Sequence, residues 1–158
     1  MSSRVRLVGW LSAVALVATV GCRPSEDDPE GQAEMLHDAV RRQAAIANLT
    51  KIYTGALACC EKVQDPKGGE SCKACDRNHP KVKAIADAIV DDLVKVYVES
   101  GEMDSRNGLA ILDLLKEMRD PRSVDALVKA LDWKVGRTEE HAIRAAQTIQ
   151  RMELPAAA

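Results

Sequence analysis

Along most of the chain, apolar residues recur at spacings of three and four, the period of a helix that buries one face. The first such stripe spans about Ala33 to Val63 and carries Ile46, Leu49, Tyr53, Ala56 and Cys60. That is long for one globular helix. Gly55 weakens its second half by up to ~1 kcal/mol relative to Ala, so a bend or break is expected. The next stripe starts at Lys81, carries Val82, Ile85, Ile89, Leu93 and Val96, and closes near Ser100 and Gly101. Asp104 or Ser105 suits the cap of a third helix, with Leu109, Leu112, Leu115 and Met118 inward. Asp120 and Pro121 stop it and open another. The aspartate accepts from free amides, and proline fits the first helical position because its missing N–H has no partner there. Val124, Leu127, Val128 and Leu131 are expected to face inward from that helix. After a loop at residues 133–137, Thr138 caps a last helix. Glu139 and Glu140 favour its first turn, and Ala142, Ile143, Ala146 and Ile149 form its apolar side. Residues 65–80, DPKGGESCKACDRNHP, read as a loop, and no segment reads as a strand. The expected fold class is all-α: about five helices, as antiparallel hairpins stacked into a short α-solenoid or, alternatively, closed into a compact helical bundle.

The first 32 residues follow a different rule. Arg4 and Arg6 precede an uncharged run of Leu, Val and Ala at residues 7–21. That run falls short of the ~18–20 residues that span a bilayer comfortably. A positive start, a short apolar middle and a small-residue end describe a secretory signal. Thr19-Val20-Gly21-Cys22 resembles the lipobox of bacterial lipoproteins, with Thr19 where the family usually has an aliphatic residue. The resemblance implies cleavage after residue 21, lipidation of the Cys22 sulfur, and a chain held on a bacterial membrane facing the periplasm or the cell exterior. Residues 22–32 have four acids and no apolar residue beyond two prolines, so they are expected to be a solvated tether. The domain is then residues 33–154, with a cysteine-rich loop at 61–80.

Composition narrows the function. The formal net charge is −2 and no basic stripe is present, which argues against a nucleic-acid partner. Phe is absent. Only Tyr53, Tyr97 and Trp133 would remain after cleavage, too few for stacking platforms.

Cys59, Cys60, Cys72 and Cys75 are the candidate chemistry. An exported compartment favours disulfides, and two bridges would staple the loop to the helix end. Pairing is open between 59–75 with 60–72 and 59–72 with 60–75, with a slight preference for the nested first set. A redox pair at Cys72 and Cys75 lacks the strand that should precede it. A c-type haem site would need His where Asp76 stands. A zinc site is a further alternative, with the four thiols and His79 in place of one. Elsewhere, His37 reads as an exposed helix residue and His79 as a turn residue. Glu140 and His141 are adjacent and so do not share a helix face. Glu99, Glu102 and Asp104 lack EF-hand spacing, and Asp91 with Asp92 reads as a solvated face. No catalytic constellation and no cofactor motif is found.

Residues 109–133, LAILDLLKEMRDPRSVDALVKALDW, followed by EEHAIRAAQTIQRM at 139–152, resemble HEAT repeats of the bacterial, HEAT-like type. Asp120, Leu127, Leu131, Arg144, Ala145 and Ala146 occupy the family's corner, outer-helix and inner-helix positions. The resemblance covers residues 105–152. It implies a stacked surface that binds another protein without catalysis. Such arrays need about three units and this match supplies about one and a half, so a homodimer through the C-terminal helix is one way to cover the last face. The expected function is therefore a membrane-anchored, extracytoplasmic, non-catalytic protein-interaction module. The alternative is a thiol redox or metal-binding protein using the four cysteines.

Overall fold

A computed structural model describes residues 24–64, 68–100, 104–132 and 139–152. The order is α1 (Pro29–Met35), α2 (Arg42–Ala58), β1 (Glu61–Gln64), β2 (Glu70–Lys73), α3 (Pro80–Ser100), α4 (Ser105–Met118), a 3₁₀ turn (Pro121–Ser123), α5 (Val124–Leu131) and α6 (Glu139–Arg151). The fold is all-α with one small hairpin. Cys22, the signal-like run at 1–21 and the cap at Thr138 lie outside the described residues. Among the described residues, no helix is long and apolar enough to cross a membrane.

The expected first helix is two helices. Asp38 folds the chain between them: its carboxylate accepts from the Val40 N–H at 2.9 Å, and its carbonyl accepts from Arg41 and Arg42. Arg42 Nε then donates to the Leu36 carbonyl at 2.8 Å, satisfying an acceptor that α1 leaves open. The tether expectation is corrected at its end. Pro29 to Gln32 is helical, and Gly31 and Gln32 are buried. Gln32 donates to the Ser25 carbonyl at 2.8 Å and accepts from Asn48 at 3.0 Å, so its amide is satisfied inside the fold.

Each helix makes its substantial helix–helix contacts with its chain neighbour or the next but one. α1 meets α2 and α3, α2 meets α3 and α4, α3 meets α4 and α5, and α6 meets α4 and α5. α1, α3 and α5 thus touch in series, as do α2, α4 and α6. The core between them holds the expected stripes: Ile46, Leu49, Tyr53, Val82, Ile89, Leu93, Val96, Leu112, Leu115 and Met118 are all buried.

The last two helices are rotated from the expectation. In α5 the buried residues are Ala126, Leu127 and Ala130, while Val124, Val128 and Leu131 are exposed. Two alanines let α5 sit close to its neighbours, and its valines are left on the outer side. In α6 the buried stripe is His141, Ala145 and Thr148, while Ile143 and Ala146 are exposed. Polar groups are tolerated inward because each has a partner: Thr148 Oγ1 donates to the Arg144 carbonyl at 2.7 Å, and both nitrogens of His141 are engaged.

The Asp120 corner forms as expected. Arg119 ends α4 in the left-handed conformation, φ 53°, donating its N–H to the Leu115 carbonyl. Asp120 Oδ1 then accepts from the Arg122 N–H at 2.9 Å, and Pro121 occupies the first helical position.

Candidate functional site

Helix α2 ends at Cys59, whose N–H donates to the Gly55 carbonyl at 2.8 Å. The chain then turns into β1, which pairs antiparallel with β2 in the register Glu61↔Lys73 and Lys62↔Cys72. The two strands correct the expectation of an irregular loop. All eight strand positions face solvent. Gly68, at φ 90°, occupies backbone space that side chains disfavour near the turn. Ion pairs Lys62–Glu70 at 3.2 Å and Lys73–Glu61 at 3.5 Å bridge the strands.

Two disulfides join this hairpin to the helix end. They are Cys59–Cys72, with Cα atoms 4.8 Å apart, and Cys60–Cys75, at 5.9 Å. Disulfide formation matches the sequence reading, but the preferred nested pairing does not hold. The observed pairing is the crossed one, Cys59 with Cys72 and Cys60 with Cys75. Cys60 donates its N–H to the Lys73 carbonyl at 3.3 Å, and Cys75 donates to the Leu57 carbonyl at 2.9 Å. These backbone bonds bring Cys60 and Cys75 together.

His79, expected as a turn residue or, in the zinc alternative, as a ligand in place of one thiol, sits against this knot. Its Nε2 donates to Glu61 Oε1 at 3.3 Å, and its Nδ1 accepts from the Lys81 N–H at 3.3 Å. The hydrogen bond from His79, with the nearby Lys73 charge, holds the Glu61 carboxyl below its usual value. One ligand-capable atom from each of Cys60, Cys75 and His79 lies within 4.8 Å of the others. Cys60 is buried and the other two are half-buried.

The second feature is a surface. Val94 and Val98 of α3 face Val128 of α5 across a shallow groove also lined by Asp91, Lys95 and Asp125. Val98 is 41% exposed, Val128 55% and Leu131 45%. These are large apolar groups at helical spacing on two adjacent helices. Periodicity alone hides the groove, because it assigns Val128 to the core. The remaining HEAT-like positions are divided: Leu127 and Ala145 are buried, Leu131 and Ala146 are exposed, and Arg144 pairs with Asp113 and Glu140.

His37 is half-exposed and pairs with Asp92 at 2.8 Å, which ties the α1–α2 turn to α3. His141 is buried on the inward side of α6. It bonds to Tyr97 and Ser105.

Comparison with protein-family models, curated proteins and solved structures finds no match.

Proposed function

We propose that the chain is a lipid-anchored, non-catalytic module of the bacterial cell envelope that holds another protein against its α3–α5 groove. The observation that carries the docking reading is the pair of exposed valines, Val98 and Val128, that line one groove between two adjacent helices. Apolar side chains grouped in this way mark contact surfaces more often than scattered ones do. The groove suits an amphipathic helix whose apolar residues recur at three and four, with Asp91, Lys95 and Asp125 able to meet charges at its rim. The outward side of α6 is a weaker candidate for the homodimer, because Ile143 stands there among Glu139, Glu140, Gln147 and Gln150. The anchor rests on the lipobox-like Thr19-Val20-Gly21-Cys22 and the run before it.

The serial packing favours a short α-solenoid over a closed bundle. Contacts limited to neighbours and next-neighbours are what stacked hairpins produce, and α1–α2, α3–α4 and α5–α6 would make three units. That is about the number such arrays need.

The test is photocrosslinking in intact membranes. A photoreactive residue at Val128 should give one adduct of defined mass that disappears when Val98→Asp is added. A residue at Gln150 should not give it. Equal adducts from both positions, or none from Val128, would reject the groove. The anchor is read separately: Cys22→Ser should abolish labelling by palmitate and release the chain from membranes.

A further inference from the structure

The geometry points to a redox-gated metal site: once the Cys60–Cys75 bond is reduced, Cys60, Cys75 and His79 form a three-ligand site for Zn²⁺ or a similar thiophilic cation. The three ligand atoms already lie within 4.8 Å of one another. Tetrahedral zinc, with Zn–S near 2.3 Å and Zn–N near 2.0 Å, sets neighbouring ligands roughly 3.5–3.8 Å apart. Reduction must therefore let the two sulfurs separate to that span, while the imidazole closes by about 1 Å at most. A fourth position stays open to water.

Three features prepare the site. The Cys60 N–H bond to Lys73 and the Cys75 N–H bond to Leu57 hold both cysteines in place without help from either disulfide. Glu61 accepts from His79 Nε2, the carboxylate–histidine pairing that orients a metal-binding ring and leaves the other nitrogen with its lone pair. The Lys81 amide that now points at Nδ1 does so at 3.3 Å, a long bond for a metal to replace. A depression lined by Lys73, Ala74, Cys75, Asp76, Asn78 and His79 gives entry from solvent.

The chemistry balances with a dithiol as reductant. Thiol–disulfide exchange breaks the Cys60–Cys75 bond, leaves two thiols, and oxidises the dithiol to its own disulfide. The cation then displaces one proton from each thiol, and two thiolates neutralise its charge. Exchange in the opposite sense with a small-molecule disulfide as oxidant reforms the Cys60–Cys75 bond, reduces that disulfide to two thiols and expels the metal. Cys59 and Cys72 are not part of the ligand set.

The test uses the full chain carrying Cys22→Ser, so that the remaining thiols are the four named. It is reduced with a phosphine, desalted without oxygen and titrated with Co²⁺. One Co²⁺ per chain should bind, with thiolate charge-transfer and tetrahedral ligand-field absorption, and Zn²⁺ should displace it. Cys59→Ser with Cys72→Ser should keep the signal. Cys60→Ser, Cys75→Ser or His79→Ala should weaken binding at least 100-fold with helical circular dichroism intact. Glu61→Gln should weaken it 10–100-fold. The oxidised chain should bind none. The proposal is overturned by a reduced chain without the tetrahedral signature. It is equally overturned by a signal that depends on Cys59 and Cys72, or by one indifferent to His79→Ala.

Discussion

The Tyr97 hydroxyl lies 2.9 Å from His141 Nδ1, and both side chains are sealed from solvent, at 1% and 0% exposure. Burial pushes the Tyr97 phenol well above its usual value, so it keeps its proton. On the other side of the ring, Nε2 lies 3.0 Å from Ser105 Oγ, so one hydroxyl meets each ring nitrogen. One neutral imidazole thus joins α3, α4 and α6.

That pairing makes stability pH-dependent. Burial lowers the His141 pKa below its ordinary 6.5, outweighing the Ser105 backbone bond and the Glu140 charge that act the other way. In the folded chain the ring resists protonation, whereas the unfolded chain takes up the proton below about pH 6.5. The contribution is full above that pH and is lost as pH falls from it toward the depressed folded value. The melting temperature of the wild type should therefore drop between pH 7 and pH 5. His141→Gln should start lower and show a shallower slope. Parallel slopes for the two proteins would place the pH dependence elsewhere.

Tyr97→Phe should cost about 1–3 kcal/mol, because it removes the hydroxyl that bonds buried Nδ1 while changing little volume. Urea unfolding reads this directly, as a lower midpoint at unchanged slope.

The disulfide pairing has a thiol-counting signature. In the Cys22→Ser background the oxidised chain should weigh four hydrogens less than the reduced one. Cys59→Ser with Cys72→Ser should leave no free thiol under denaturing conditions, because Cys60–Cys75 remains. Cys59→Ser with Cys75→Ser should leave Cys60 and Cys72 unpaired. The reverse result would restore the nested pairing. Each bridge closes a short loop, with sequence separations of 13 and 15, so about 2–4 kcal/mol is expected from either.

The register of α6 separates two adjacent alanines. Ala145 is fully buried against its neighbours, and Ala146 is exposed. Ala145→Leu should cost about 1–3 kcal/mol by overpacking. Ala146→Leu should stay within about 0.5 kcal/mol. Equal losses in thermal unfolding would return the helix to the register expected from its apolar residues.

The long stripes of α2, α3 and α4 were legible because their buried positions coincide with large apolar residues: Leu49, Ile89 and Leu112 are where periodicity puts them. The hairpin was not. Its strands run EKVQ and ESCK with every position exposed, so no alternation exists to read, and pairing is imposed by backbone bonds and two disulfides. The rotation of α5 and α6 was also hidden. Periodicity favours Val128 and Ile143 as core, but the packing selects small Ala126, Ala130 and Ala145 and a histidine whose partners lie 44 and 36 residues away. The cysteines were visible as a cluster, while the approach of His79 depended on the strand register that brings Glu61 beside it.

Asp120 carries the corner between α4 and α5, and its two jobs can be separated. Burial pushes its carboxyl up, but the Arg122 side chain and the Arg122 N–H together outweigh that and hold it below its ordinary 3.8. The same oxygen, Oδ1, accepts from the Arg122 N–H and from Arg122 Nε, each at 2.9 Å, while Arg122 also reaches Asp87 at 2.7 Å. Asp120→Asn keeps an acceptor for the amide and removes the charge. Asp120→Ala removes both. Losing an N-cap acceptor costs about 0.5–2 kcal/mol, so the alanine variant should be the less stable of the two at pH 7. A depressed carboxyl stabilises above its unfolded value and loses that contribution as pH falls through the lower folded one. The wild-type advantage over Asp120→Asn should therefore be present at pH 7 and fade below about pH 4, whereas the gap between Asn and Ala should persist in acid. Thermal unfolding of the three proteins at pH 7 and pH 3 checks both statements. If Asn and Ala behave alike at both pH values, the corner is held by the Arg122 ion pairs rather than by the cap.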